Sequence, residues 1–220
     1  MNDLVLGYKV STSNSDELVQ EMFARVQRGR GGELVRSWFA CLNPHSYAIA
    51  KNDQFFSEAL KGTDWLVADG VGVVLASRVL GARVKSRVTG SDIFFGLNTI
   101  LNESGGASVF FLGATEETLA EIARRMAVDY PNIRLAGVYS PPFKSYYSEE
   151  DSQRMISAIN NADADVLWVG LTAPKQEKWI YQNIDRLNIH FAGAIGAVFD
   201  FYTGNVLRSH PSFPRLGFAG

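Results

Sequence analysis

Asp69 follows the apolar run Trp65-Leu66-Val67-Ala68 and precedes Gly70 and Gly72, so an acid ends a strand-like segment beside a turn that glycine keeps open. A carboxylate placed there can take a proton from an attacking hydroxyl, which is the work of a general base. It can equally cap the helix whose pattern begins near Gly72, because aspartate is a favoured capping residue. Farther along, Arg83, Lys85 and Arg87 set three cations within five residues, ahead of Thr89-Gly90-Ser91-Asp92 where a loop enters a helix. Such donors beside helix-start amides can neutralise a diphosphate leaving group. A solvated loop with Ser91 or Asp92 as a cap is the plainer alternative. A third constellation is Thr172-Ala173-Pro174-Lys175-Gln176-Glu177, where Pro174 opens a helix whose first turn carries ammonium, carboxamide and carboxylate groups. That set suits a polar, phosphorylated ligand and also an ordinary surface helix start. Phe199-Asp200-Phe201 puts one acid between two aromatics, more often the mark of a packed turn than of a catalytic acid.

These groups must be held by the elements around them. Short β-rich apolar runs at 38–42, 65–68, 108–112, 134–139, 166–170 and 190–192 alternate with helical patterns at 15–28, 44–60, 72–80, 91–103, 116–130, 148–160 and 174–187. In the helix from Glu116, Leu119, Ile122, Ala123 and Met126 recur at helical spacing, Glu121, Arg124 and Arg125 take the other face, and Pro131 stops the run. The alternation predicts an α/β fold: a Rossmann-like, mostly parallel sheet with helices on both faces. In such a sheet ligands sit outside the carboxyl ends of the strands. The segments just past them are Cys41-Leu42-Asn43-Pro44-His45, Ala68-Asp69-Gly70-Val71-Gly72, Leu112-Gly113-Ala114-Thr115 and 170–177.

With 220 residues, 46% of them hydrophobic, the chain can bury one substantial core, and no break in composition marks a second domain. Its 21 basic and 23 acidic residues give a net charge of -2, so contact with nucleic acid or anionic lipid would need a local patch. The single Cys41 can form no internal disulfide, which points to a reducing compartment. The first residues lack the basic start and apolar core of a signal peptide, and the expected location is cytoplasmic. Several chemistries are disfavoured. There is no GxxxxGK[ST]; Gly70-Val71-Gly72-Val73-Val74-Leu75 has two of the three glycines of GxGxxG, and Gly193-Ala194-Ile195-Gly196-Ala197 also falls short. Both a P-loop enzyme and a dinucleotide oxidoreductase are therefore unlike this chain. No GxSxG marks a hydrolase elbow, and His45, His190 and His210 lack metal-ligand spacing.

Taken in order, Leu42-Asn43, Ala68-Asp69-Gly70-Val71-Gly72-Val73-Val74, Arg87-Val88-Thr89-Gly90-Ser91-Asp92, Phe111-Leu112-Gly113, Pro174-Lys175-Gln176-Glu177-Lys178-Trp179-Ile180 and 193–204 resemble the WecG/TagA/CpsF family of bacterial glycosyltransferases, over nearly the whole chain. The resemblance implies an inverting hexosyltransferase that uses neither a metal nor another cofactor. Its donor would be a UDP-sugar, typically of N-acetylmannosamine or glucose, and its acceptor a polyprenyl-diphosphate-linked sugar. It would work as a peripheral protein on the inner face of the cell membrane, feeding wall teichoic acid, common antigen or exopolysaccharide synthesis.

By the same resemblance Asp69 is the base, Arg87 an active-site arginine, Asn43 part of the acceptor-side pocket and Gln176 a cleft glutamine. Cys41, Gly113, Thr172, Lys175, Glu177 and Asp200 complete the candidate substrate-binding set. There are departures: Cys41 stands where many members have threonine, and Thr172 where glycine is usual, an expected narrowing of the cleft. Members also usually continue past Gly217 with a basic, aromatic segment that closes the site and touches the membrane. The expectation is thus one domain over 1–220 without that segment, binding donor but turning over slowly if the segment supplies a diphosphate-binding arginine. A nucleotide-sugar-binding module without turnover is the alternative. An apolar stripe near Phe94, Phe95 and Leu97 could join copies into a homo-oligomer, or simply pack into the core.

Overall fold

The structure, a computed structural model, describes residues 1–204. His210 and the expectations about the end of the chain lie outside them. Six strands form one sheet: β3 (Ser37–Leu42), β4 (Trp65–Ala68), β5 (Ser108–Gly113), β6 (Arg134–Tyr139), β7 (Val166–Gly170) and β8 (Phe191–Ala194). Their order is β4-β3-β8-β7-β5-β6 and every pairing is parallel. This is the α/β architecture that the alternating pattern predicts. Ahead of it, β1 (Asn2–Val5) and β2 (Tyr8–Ser11) form an antiparallel hairpin.

Both faces of the sheet are covered, which is why β4, β5 and β8 are buried at every position and read as continuous apolar runs. Alternation along β3 sorts the side chains. Trp38, Ala40 and Leu42 join one apolar cluster and Phe39 the other. The first cluster takes side chains from α2 (Pro44–Ala50), α3 (Gln54–Lys61), α4 (Val71–Val79), α7 (Glu149–Ala162) and α8 (Lys175–Asn183). The second takes them from α1 (Ser15–Arg30), α5 (Gly90–Ser104), α6 (Glu116–Asp129) and α9 (Val198–Thr203). β3 is followed to one side by β4 and β5 to the other by β6, so connections diverge above the carboxyl ends of the middle strands.

Two differences from the sequence expectation have local causes, and one open alternative is decided. The single helix expected over 44–60 is two, because Asp53 in extended conformation caps α3 by accepting from the Phe56 N–H at 3.0 Å. The hairpin escapes periodicity because β1 buries only Val5 and so shows no apolar run; Leu6 and Gly7, with φ of 52° and 87°, make the tight turn between the strands. Phe94 and Leu97 are fully buried and Phe95 packs against the same cluster, so that stripe is core and not a contact between copies.

Candidate functional site

Two backbone hydrogen bonds bring an acid and an arginine together at the carboxyl end of β4. The Asp69 N–H donates to the Leu42 carbonyl at 2.9 Å, extending the β3–β4 pairing by one residue. The Val88 N–H donates to the Ala68 carbonyl at 2.9 Å, pinning the approach to α5 against the same strand end. Arg87 therefore hangs beside Asp69, with Nε 3.6 Å from Oδ1. Gly70 occupies the cap position of α4 with φ of 140°, and a Cβ there would sit 3.2 Å from Pro44 Cδ. Asp69 is thus one residue ahead of the cap position that the sequence left open to it.

Of the three clustered cations, only Arg87 reaches this point. Arg83 is held by Asp3 through bonds of 2.9 Å and 3.1 Å, and Lys85 pairs with Glu17 at 3.3 Å. Both partners lie far off in sequence, in β1 and α1. Asp92 closes a capping box with Thr89, accepting from the Thr89 N–H at 2.8 Å, so its role is structural.

Asn43, just past the carboxyl end of β3, caps α2. The Ser46 N–H donates to its Oδ1 at 2.8 Å and its own N–H donates to Ser46 Oγ at 2.8 Å. Its Nδ2 makes no hydrogen bond among the described residues and remains available as a donor. A Cβ on Gly70 would lie 3.8 Å from that of Asn43, which places Asn43 next to the Asp69 turn. Behind them is Cys41, whose Sγ lies near Gly90 at the start of α5. Burial, and after it the negative fields of Asp69 and Glu177, holds its thiol well above the usual range. Cys41 stays protonated at neutral pH and is no nucleophile.

The segment after β7 divides its side chains. Gln176 is buried, accepts from the Gly196 N–H at 3.1 Å and donates to Glu177 Oε1 at 2.9 Å. It ties the start of α8 to the loop leaving β8, the strand between β3 and β7. Glu177 is buried too, its Oε2 has no partner among the described residues, and burial pushes its carboxyl up to about 7. Lys175 is engaged by the loop ahead of α7: Nζ donates to the Lys144 carbonyl at 2.8 Å and lies 4.9 Å from the centre of the Phe143 ring. Thr172 is exposed with φ of 69°, a conformation costly for a β-branched residue and natural for glycine.

Gly113 and Asp200 belong to other elements, the end of β5 and α9. A Cβ on Gly113 would meet the Gly170 carbonyl oxygen at 2.4 Å, so close strand packing accounts for that glycine. Asp200 is partly buried on α9 and forms no ion pair among the described residues, while its neighbour Phe199 stacks edge-on against Phe111. Sequence reasoning missed Gly196 as the partner of Gln176, although the glycine lies in the incomplete GxGxxG run and in the family-like segment 193–204. Among the described residues no three His, Cys, Asp or Glu side chains gather as a metal site. No helix of those residues is long and apolar enough to cross a membrane. A pocket lined by Glu21, Arg25, Arg28, Asp64 and Trp65 opens beside the amino end of β4, opposite Asp69, and shares no residue with the cleft.

A profile of the glycosyl transferase WecG/TagA/CpsF family matches residues 4–219. A protein of Bacillus subtilis (strain 168), the N-acetylglucosaminyldiphosphoundecaprenol N-acetyl-beta-D-mannosaminyltransferase, is 29% identical over 184 residues, 84% of this chain and 69% of its own length. Proteins of the same description from Bacillus spizizenii and Staphylococcus aureus (strain NCTC 8325 / PS 47) are 31% and 26% identical, over 78% and 79% of this chain and 63% and 66% of their own lengths. The chain spans about two thirds of these relatives.

Proposed function

The chain belongs to the glycosyl transferase WecG/TagA/CpsF family, and we propose that it moves a hexose from a UDP-sugar onto a polyprenyl-diphosphate-linked sugar, with inversion at the anomeric carbon. The names of the relatives favour N-acetylmannosamine as the sugar and an undecaprenyl-diphosphate-linked N-acetylglucosamine as the acceptor. The observation that carries the reading is the Asp69–Arg87 pair fixed at the carboxyl end of β4.

In the proposed step Asp69 takes the proton of the acceptor hydroxyl as its oxygen forms a bond to the anomeric carbon. The bond from that carbon to the diphosphate breaks on the opposite face, and UDP leaves with the electron pair. Asp69 suits the base because it is partly exposed at the cleft and no helix cap claims its position. Arg87 suits the departing charge. Its pairing with Asp69 is solvent-exposed and therefore weak, so the guanidinium can exchange it for a phosphate, to which it can donate two hydrogen bonds. Asn43 contributes its free amide donor to a sugar hydroxyl, and Gln176 braces the loop after β8 that forms the cleft wall. A lipid-linked acceptor places the protein at the cytoplasmic membrane surface.

The test is release of UDP from a panel of UDP-sugars in the presence of a short lipid-diphosphate-N-acetylglucosamine acceptor. Acceptor-dependent release supports the transferase. Binding of a UDP-sugar without release under any condition would mean that the cleft serves as a nucleotide-sugar-binding module instead.

A further inference from the structure

Helix α4 leaves the Asp69 turn carrying an apolar face that nothing among the described residues covers. Val71, Leu75 and Val79, spaced four apart and so on one face, are 64%, 52% and 87% exposed, and Leu80 after them is exposed as well. Val73, Val74 and Ser77 fill the opposite, buried side. A helix that has already packed one apolar face normally turns polar side chains to water. Here the outward face is aliphatic, and Arg78 stands beside Val71 and Leu75 on it, in no ion pair among the described residues.

The surroundings are cationic. Between Asp69 and Asp92 the chain has Arg78, Arg83, Lys85 and Arg87 and not one Asp or Glu, although its net charge is -2. Arg83 and Lys85 keep exposed side chains despite their pairing with Asp3 and Glu17. An aliphatic stripe with a basic rim matches the boundary of an anionic bilayer, where apolar side chains enter among the headgroups and cations meet lipid phosphates. A second copy fits less well. Four side chains on a nine-residue helix fall short of the roughly 800 Å² per partner of a stable interface, and two-fold pairing would set the basic rims against each other.

We propose that the outward face of α4, centred on Leu75 and Val79 with Arg78, docks on an anionic lipid bilayer. This rests on the lipid-linked acceptor proposed above and gives it a geometry. Val71 is two residues from Asp69, so seating α4 at the headgroups brings the base to the surface from which the acceptor's sugar projects.

The test is sedimentation of the full chain with vesicles of phosphatidylglycerol and phosphatidylcholine, beside vesicles of phosphatidylcholine alone. The expected result is binding to the anionic vesicles that weakens with salt. The double variant Leu75→Ser/Val79→Ser should bind at least about tenfold more weakly, and Arg78→Glu should lose binding selectively on anionic vesicles. Because these side chains face solvent, both variants should melt as the unaltered chain does and keep its UDP release with a water-soluble acceptor. Unaltered vesicle binding by the double variant would overturn the proposal. So would absence of binding by the unaltered chain, or a dimer that the double variant dissociates while vesicle binding persists. Vesicle binding that depends on α4 in a chain that never releases UDP would defeat the transferase reading alone. UDP release without vesicle binding would defeat the docking alone.

Discussion

Arg87 Nε lies 3.6 Å from Asp69 Oδ1, although the two residues are separated by the whole of α4 and the loop that follows it. The contact is built by the backbone, through the bonds from Asp69 N–H to Leu42 and from Val88 N–H to Ala68. It puts a carboxylate and a guanidinium side by side, and the separate duties proposed for them lead to separable kinetic effects.

Arg87→Ala should lower kcat by about 10²-fold, the usual cost of removing one donor to a developing charge. Arg87→Lys should restore only part of it, since an ammonium keeps the charge but not the planar fork. Steady-state kinetics decide; an alanine variant with unchanged kcat would remove Arg87 from the reaction.

Arg83→Ala and Lys85→Ala should behave differently. Both side chains pair with distant acids at the surface and neither reaches Asp69. Turnover with a soluble acceptor should stay within about twofold, and stability should change little, because exposed ion pairs are weak. A loss as large as that of Arg87→Ala would restore the three-cation cluster as a functional unit.

Gly70→Ala tests the turn that presents Asp69. With φ of 140° and Pro44 Cδ 3.2 Å from a new Cβ, alanine would be strained whatever the neighbours do. A cost on the order of 1–3 kcal/mol is expected, seen as a melting temperature lower by about 2–4 °C for each kcal/mol. An unchanged melting curve would mean that the turn is not held as described.

Glu177 should make stability depend on pH. Burial raises its folded-state pKa from 4.5 to about 7. Between those values the unfolded chain has lost the proton that the folded chain keeps, so this contribution falls as pH rises from about 4.5 and levels off above about 7. The full difference is on the order of 3 kcal/mol. Glu177→Gln should be the more stable protein at pH 8, with the advantage gone at pH 4.5. Denaturant unfolding at the two pH values measures it, and a pH-independent difference would contradict the burial argument.

What the sequence made legible follows from how local each signal is. Strands β4 and β7 were readable to the residue because a buried parallel strand is a short apolar run, and β6, a half-exposed edge strand, because its run stands between Pro131 and the Ser140-Pro141-Pro142 loop. The break at Asp53 was not, since a cap in extended conformation leaves helical periodicity nearly intact on either side. Within the cleft, Asp69 and Gln176 could be singled out by their position after strands. The partners of Arg83, Lys85 and Lys175 could not, because Asp3, Glu17 and the Lys144 carbonyl are set by tertiary packing. Nor could the burial of Glu177, whose side chain on the first turn of α8 reads as polar and exposed in the sequence.

The most direct test of the account is acceptor-dependent UDP release by the unaltered chain and by Asp69→Asn, with UDP-sugar binding measured on both. Asparagine keeps the shape of the side chain but cannot take the acceptor's proton. The account predicts release from the unaltered chain and a loss of about 10²- to 10⁴-fold in the variant, with donor affinity nearly unchanged. Equal release by the two proteins would contradict it and leave Asp69 as a structural residue at the end of β4.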